Sequence, residues 1–230
     1  MLNRPELTDS LLNRARNKGE TLAGALIRKG WDLGQRYGSI GPSSRSAKRF
    51  GAFGDHSVIC FPYDTIVNEY AISIGSSTVV GRDVGLSAGL VPGHAGLPPD
   101  VVRIGDRCLI GRGSSIVGHA SIIIEDDVWT GQHVHITDMN HGYELLDLPI
   151  GAQGAPVRPV RVGAGSWLGH GVVVLPGVTI GRHVVVGAGA VVTRDLPDHC
   201  VAVGAPARVV RRHDEVLGWV SVEADAEELV

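Results

Sequence analysis

Ten histidines are the residues of this 230-residue chain best suited to proton transfer or metal ligation. Three of them, His133, His135 and His141, fall within nine residues. Neutral imidazole is a good zinc ligand, so the cluster raises a metal site. The three sit on different strand faces, however, and nothing in that spacing makes them converge. His141 has the stronger context. It stands in Ile136-Thr137-Asp138-Met139-Asn140-His141-Gly142-Tyr143, where regular patterning stops and a long loop begins. Exposed loops held by a rigid scaffold are where catalytic residues gather. An imidazole near its unperturbed pKa of about 6.5 can take the proton of a hydroxyl and make the oxygen a nucleophile. Its second nitrogen then needs an acceptor, and Asp138 and Asn140 are the nearby candidates. Both residue types also serve as plain loop caps. No Cys or Ser nucleophile motif is evident. Cys60, Cys108 and Cys200 are far apart and read as small buried hydrophobes in a reducing compartment.

A period of six residues supplies the scaffold. From Val162 an aliphatic returns at Leu168, Val174, Ile180, Val186 and Val192. Glycine follows it at Gly163, Gly169, Gly181 and Gly187. A small or β-branched residue stands four places after it, at Ser166, Val172, Val178, Val184 and Ala190. The same spacing appears in Ile74-Val80-Leu86, in Ile104-Ile110-Ile116-Ile122, and, shifted by two, in Ile124-Thr130-Ile136. Helical faces recur near 3.6 residues and strand faces near 2, so neither alone explains six. Short parallel strands joined by sharp corners do. Three such strands close a coil of about 18 residues, and coils stack about 4.8 Å apart. Thirty-two glycines and few aromatics suit a fold of tight corners around small aliphatics.

The chain divides into three parts on this reading. Residues 1–49 hold a helical segment, over 8–37, and a Gly/Ser/Arg-rich linker, 38–49. Thr8, Asp9 and Ser10 are N-cap candidates, and Leu11, Ala15, Leu22 and Leu26 share a face. Gly19, Gly24, Gly30 and Gly34 weaken that helix and can split it. Residues 50–212 form the solenoid. Two excursions interrupt it, Val91–Asp100 and a larger one at about 138–161; loops of that length are usually functional or disordered. Residues 213–230 form a short C-terminal helix and tail. The net charge of −3 argues against a nucleic-acid binder. Residues 1–49 carry ten Lys/Arg against four Asp/Glu, which suits either a solvated helix face or contact with an anionic surface. No apolar run approaches the roughly 18 residues of a membrane span, and no signal-peptide core is evident. A cytoplasmic location is expected.

The repeats resemble those of the hexapeptide-repeat acyltransferases, over about residues 72–212. The resemblance implies an all-β, left-handed parallel β-helix, the hand being an exception to the usual right-handed crossover. Around the loop the sequence is similar to the maltose, galactoside and colanic-acid O-acetyltransferases. There a His at the start of the loop is the general base, and that role falls on His141. Acetyl-CoA, or another acyl-CoA, is the implied donor, with direct attack by the acceptor, no acyl-enzyme and no metal. The acceptor is a hydroxyl-bearing small molecule or glycan. Ser166-Trp167-Leu168-Gly169 resembles the family strand along which pantetheine passes, and His170 follows it. Ala188, Thr193 and Arg194 fall at CoA-contacting positions of the closing coil. Arg208 and Arg211, in Gly204-Ala205-Pro206-Ala207-Arg208-x-x-Arg211, match basic residues that meet the nucleotide phosphates. Arg suits that geometry. A homotrimer with sites between neighbours is also implied. A γ-carbonic-anhydrase-like zinc enzyme, with His119, His135 and His141 converging across adjacent chains, and a non-catalytic scaffold are the alternatives on the same fold.

Overall fold

The computed structural model describes residues 4–222 except Leu90, Ala95 and Ala155; over 4–20 it describes the backbone alone. Two compact units result, residues 1–39 and 40–230.

The first unit is one α-helix, Arg4–Gly38, of 35 residues. Its glycines do not split it: each isolated glycine costs about 1 kcal/mol relative to Ala, too little to end a helix this long. The expected N-caps Thr8, Asp9 and Ser10 lie inside the helix, not at its start.

The second unit is built from three sheets that the chain visits in fixed rotation. Face 1 holds Ala52–Phe53, Ile72–Ile74, Val102–Ile104, Ile122–Ile124, Val160–Val162 and Thr179–Ile180. Face 2 runs from Val58–Ile59 through Val79–Val80, Leu109–Ile110, Trp129–Thr130, Trp167–Leu168 and Val185–Val186 to Cys200–Val203. Face 3 holds Ile66–Val67, Gly85–Ala88, Ser115–Gly118, His135–Thr137, Val173–Val174 and Val191–Val192. Every contact between successive coils on these faces is parallel and in register. Six complete coils therefore stack in sequence order, a parallel β-solenoid.

The period-six residues do what their spacing predicts. Val162, Leu168, Val174, Ile180, Val186 and Val192 are all 0% exposed, and Ile74, Val80, Leu86, Ile104, Ile110, Ile116, Ile122 and Ile136 are no more than 2% exposed. The residues four places later, Ser166, Val172, Val178, Val184 and Ala190, are buried at the corners. Glycine after the inward aliphatic has a steric cause. A Cβ on Gly111 would meet the Gly131 carbonyl oxygen at 2.0 Å, and one on Gly169 would meet the Ala188 nitrogen at 2.6 Å. The corners also explain several histidines: His133, His183 and His199 take up positive φ there.

Two boundaries differ from expectation. The stretch 38–49 is not a free linker: Ile40 and Ala47 are each 5% exposed, and Ile40 exchanges backbone hydrogen bonds with Ile59. At the other end the expected C-terminal helix is not formed over the described part. Strands Arg208–Asp214 and Gly218–Ser221 instead make an antiparallel hairpin that extends face 2. Asp214 Oδ1 accepts the N–H groups of Val216 and Leu217, which turns the chain between them. Residues 223–230 lie outside the described residues. Among the described residues no helix is long and apolar enough to cross a membrane.

Candidate active site

Both excursions leave the solenoid at the same edge, between face 3 and face 1. The first joins Gly85–Ala88 to Val102–Ile104, and the second joins His135–Thr137 to Val160–Val162. The intervening coil turns that edge tightly, through His119, Ala120 and Ser121.

The second excursion has a backbone-paired neck. Arg158 N–H donates to the Asp138 carbonyl at 2.7 Å, Met139 and Val157 form an antiparallel bridge, and Gly142 N–H donates to the Gly154 carbonyl at 2.9 Å. His141 sits on this neck and is exposed. It is therefore carried on paired backbone, not on a loop tip. Gly142 permits the pairing, since a Cβ there would meet the Gly154 oxygen at 2.4 Å. Farther out, Gln153 clamps the head: its side chain accepts from Leu145 N–H and donates to the Leu145 and Leu148 carbonyls.

Asp138 is wholly buried and anchors the neck to the coil below. Its carboxylate accepts the backbone N–H groups of His119, Ala120 and Ser121 at 2.8–3.0 Å. The Nδ1 of His119 lies 3.3 Å from the same carboxylate. These described bonds all run to the 119–121 corner and none runs to His141, so Asp138 works here as an anchor and not as the acceptor for that imidazole. Asn140 is exposed, and its backbone N–H donates to the Pro156 carbonyl at 3.3 Å. The His119 Nε2 is buried without a hydrogen-bond partner among the described residues.

Asn68 was not singled out by the sequence, yet it does for the first excursion what Asp138 does for the second. It is 6% exposed, with φ of 57°. Its amide donates to the carbonyls of Ala88 and Val91 and accepts from Gly93 N–H. The available signal was register: Val67 pairs with Ser87, Ser87 with Val117, and Val117 with Thr137, so Asn68 and Asp138 occupy the same point of their coils.

The residues expected to hold a cofactor fall into four groups. Trp167 is 51% exposed on the outside of face 2, paired with Trp129. Gly169, His170 and Ala188 stack at the edge between faces 2 and 3, where Gly189 N–H donates to the His170 carbonyl and the rings of His170 and His133 are 5.4 Å apart. Thr193 and Arg194 stand at the edge between faces 3 and 1, two coils beyond the neck that carries His141. The chain at Gly204 and Ala207 hydrogen-bonds to Val191, which places Arg208 beside face 3, and Arg211 Nη2 donates to the Trp219 carbonyl. These groups are spread over faces 2 and 3 of the last coils and the C-terminal hairpin; they do not line one enclosed pocket. Cavities of about 350 and 450 Å³ lie elsewhere, on face 1 around Arg103, Asp126 and Arg161.

The side chains proposed for zinc do not form a ligand set within the chain. His119 is turned to Asp138, and His135 Nδ1 lies 2.7 Å from Ser115 Oγ. Among the described residues no group of three His, Cys, Asp or Glu stands close enough to hold a metal ion. The thiols are not poised as nucleophiles: burial raises all three, that of Cys108 to about 11.

Comparison with known proteins agrees with this architecture. Residues 159–194 match the bacterial transferase hexapeptide family (six repeats), and residues 101–129 match the hexapeptide repeat of succinyl-transferase. The chain thus carries hexapeptide repeats similar to those of bacterial transferases over these two stretches. A probable acetyltransferase of Mycobacterium tuberculosis is 41% identical over 128 residues, 56% of this chain and 42% of that protein. A putative acetyltransferase of Saccharomyces cerevisiae is 36% identical over 114 residues, 50% of this chain and 57% of that one. This chain thus spans about half the length of the curated relatives it matches. Among solved structures, the N-acyltransferase AntD of Bacillus cereus, in complex with dTDP and coenzyme A, superposes with a TM-score of 0.62 at 20% identity, over 75% of this chain and 90% of that one. A hexapeptide-repeat acetyltransferase of Vibrio cholerae, complexed with acetyl coenzyme A, gives a TM-score of 0.51 at 25% identity, with 74% of each chain covered.

Proposed function

We propose that this chain is an acyl-CoA-dependent O-acyltransferase. It moves an acyl group, acetyl by first choice, from coenzyme A to a hydroxyl of a sugar or glycoconjugate in the cytoplasm. The coil is left-handed, as in the family, and the working form is a homotrimer. One observation carries the reading: an exposed imidazole, His141, is held on a backbone-paired neck at the edge where Thr193 and Arg194 also lie.

The step needs one base. His141 takes the acceptor's hydroxyl proton, and the oxygen attacks the thioester carbonyl. The C–S bond of the tetrahedral species then breaks, and the imidazolium returns its proton to the departing sulfur. Backbone N–H groups stabilise the oxyanion. Gly169, His170 and Ala188 flank the donor at the edge between faces 2 and 3, with Trp167 beside them on face 2 and Thr193 and Arg194 on the far side of face 3. Arg208 and Arg211 meet its phosphates. Asn140, next to His141, orients the acceptor or the imidazole, and Asp138 acts through the anchor of the neck.

The head of the excursion supports assembly. Tyr143, Leu145, Leu146, Leu148 and Ile150 are 71%, 53%, 98%, 43% and 49% exposed, an apolar surface suited to cover a neighbouring chain and close the acceptor site. The test is release of free CoA thiol when the chain is given acetyl-CoA and a panel of mono- and disaccharides. Release that depends on an added acceptor is expected. Acceptor-independent release alone, or none across saccharides and amino sugars, contradicts the assignment.

A further inference from the structure

The N-terminal helix carries a second surface that the transfer chemistry does not use. A helix turns about 100° per residue. On that wheel Leu22, Ala23, Leu26, Ile27, Gly30, Trp31, Leu33, Gly34 and Tyr37 fill one half. The charged residues Arg28, Lys29, Asp32 and Arg36 all fall on the other half, with Thr21 and Gln35. The apolar half faces solvent: Leu22 is 64% exposed, Leu26 62%, Ile27 71%, Leu33 48% and Tyr37 75%. Leu22 and Leu26 are each followed eleven residues later, by Leu33 and Tyr37. In the sequence Leu11 and Ala15 precede them by the same step. Eleven residues make three turns of a nearly undistorted helix, so the stripe runs straight along the axis and does not wind around it. A straight stripe fits a flat surface.

Charge selects among flat surfaces. The helix holds seven Lys/Arg against four Asp/Glu, in a chain whose net charge is −3. Lys29 and Arg36 border the leucine stripe, at the level where long basic side chains reach lipid headgroups while their stems lie on apolar surface. A second copy packed in parallel would bring these cations together, whereas an anionic bilayer neutralises them. We propose that Arg4–Gly38 is an interfacial anchor: it lies in the plane of an anionic lipid surface with Leu22, Leu26, Ile27, Leu33 and Tyr37 in the acyl boundary and Arg28, Lys29 and Arg36 on the phosphates. The helix sits on the bilayer and does not span it.

The test uses the full chain and sucrose-loaded vesicles of phosphatidylcholine, with or without phosphatidylglycerol. Sedimentation with the phosphatidylglycerol vesicles is expected at about 0.05 M salt, with release at about 0.5 M. Arg28→Glu with Lys29→Glu should weaken that binding about thirtyfold or more. Leu26→Glu with Leu33→Glu should abolish it. Gly30 has nothing within 4 Å of where its Cβ would stand, so Gly30→Leu should fit and tighten binding. The charge pair and Gly30→Leu keep the test decisive if the leucine pair misfolds. Retention in the supernatant with anionic vesicles overturns the proposal. So does equal binding by the charge variant. Oligomers that Leu33→Glu dissolves, in a chain that no vesicle sediments, would assign the face to a second copy.

Discussion

The two excursions of the solenoid leave the same edge and are anchored at the same point of their coils, yet they are held differently. The first, Val91–Asp100, is tied down by a neighbouring coil through the amide of Asn68 and by the Tyr70 hydroxyl, which donates to the His94 carbonyl. The second pairs with itself. Its two arms hydrogen-bond from Asp138 to Gly142, and a buried carboxylate fixes their base. A loop tied from outside holds a shape. A self-paired neck also fixes the direction of a side chain along it, which is what a general base requires.

The largest way to break this comparison is Asp138→Ala. It strips three backbone N–H groups of a wholly buried charged acceptor and should destabilise the chain by about 3–5 kcal/mol. Thermal unfolding should show a fall of many degrees, and an unchanged midpoint would remove Asp138 as the anchor. Next comes Gly142→Ala. The added Cβ collides with the Gly154 carbonyl, so the arms must part. Transfer should fall about ten- to a hundredfold, while the melting midpoint moves little because the neck lies outside the core. Asn68→Ala is smaller, at about 1–2 kcal/mol. It should loosen the first excursion and raise proteolytic cleavage within 91–100 without touching the neck. Cleavage within 138–159 instead would deny that the two excursions are held independently.

The smallest effect concerns pH. Burial lowers the pKa of His135 from its ordinary 6.5, so the unfolded chain binds this proton more readily than the folded one. Stability from this group is fully present above about 6.5 and is lost as pH falls through and below that value. His135→Gln should flatten the acid limb of a stability–pH curve over that window. An unchanged limb would show that His135 is not its source.

The solenoid was legible because its rule is local: an inward aliphatic every six residues and a glycine where backbones stack, as at Gly111 and Gly169. The second excursion was legible because the period stops at Thr137. What the sequence hid was pairing. The carboxylate of Asp138 looks equally like a catalytic partner and a cap until its three backbone donors, 17 to 19 residues away, are seen. Asn68 carries no local signal, only register. The C-terminal hairpin stands where a helix was expected; its local signals are the β-branched Val209-Val210 run and the turn at Asp214, which Gly218 closes with a φ of 71°. The linker 38–49 was misread from its composition, which does not show that Ile40 finds a strand partner in Ile59.

The most direct test of the central claim is His141→Gln, assayed for acyl transfer and for coenzyme A binding on the same preparation. Transfer should fall about a hundred- to ten-thousandfold while the Kd for coenzyme A stays within about twofold. Transfer that persists at the wild-type rate, or that falls only in step with donor binding, would contradict His141 as the base.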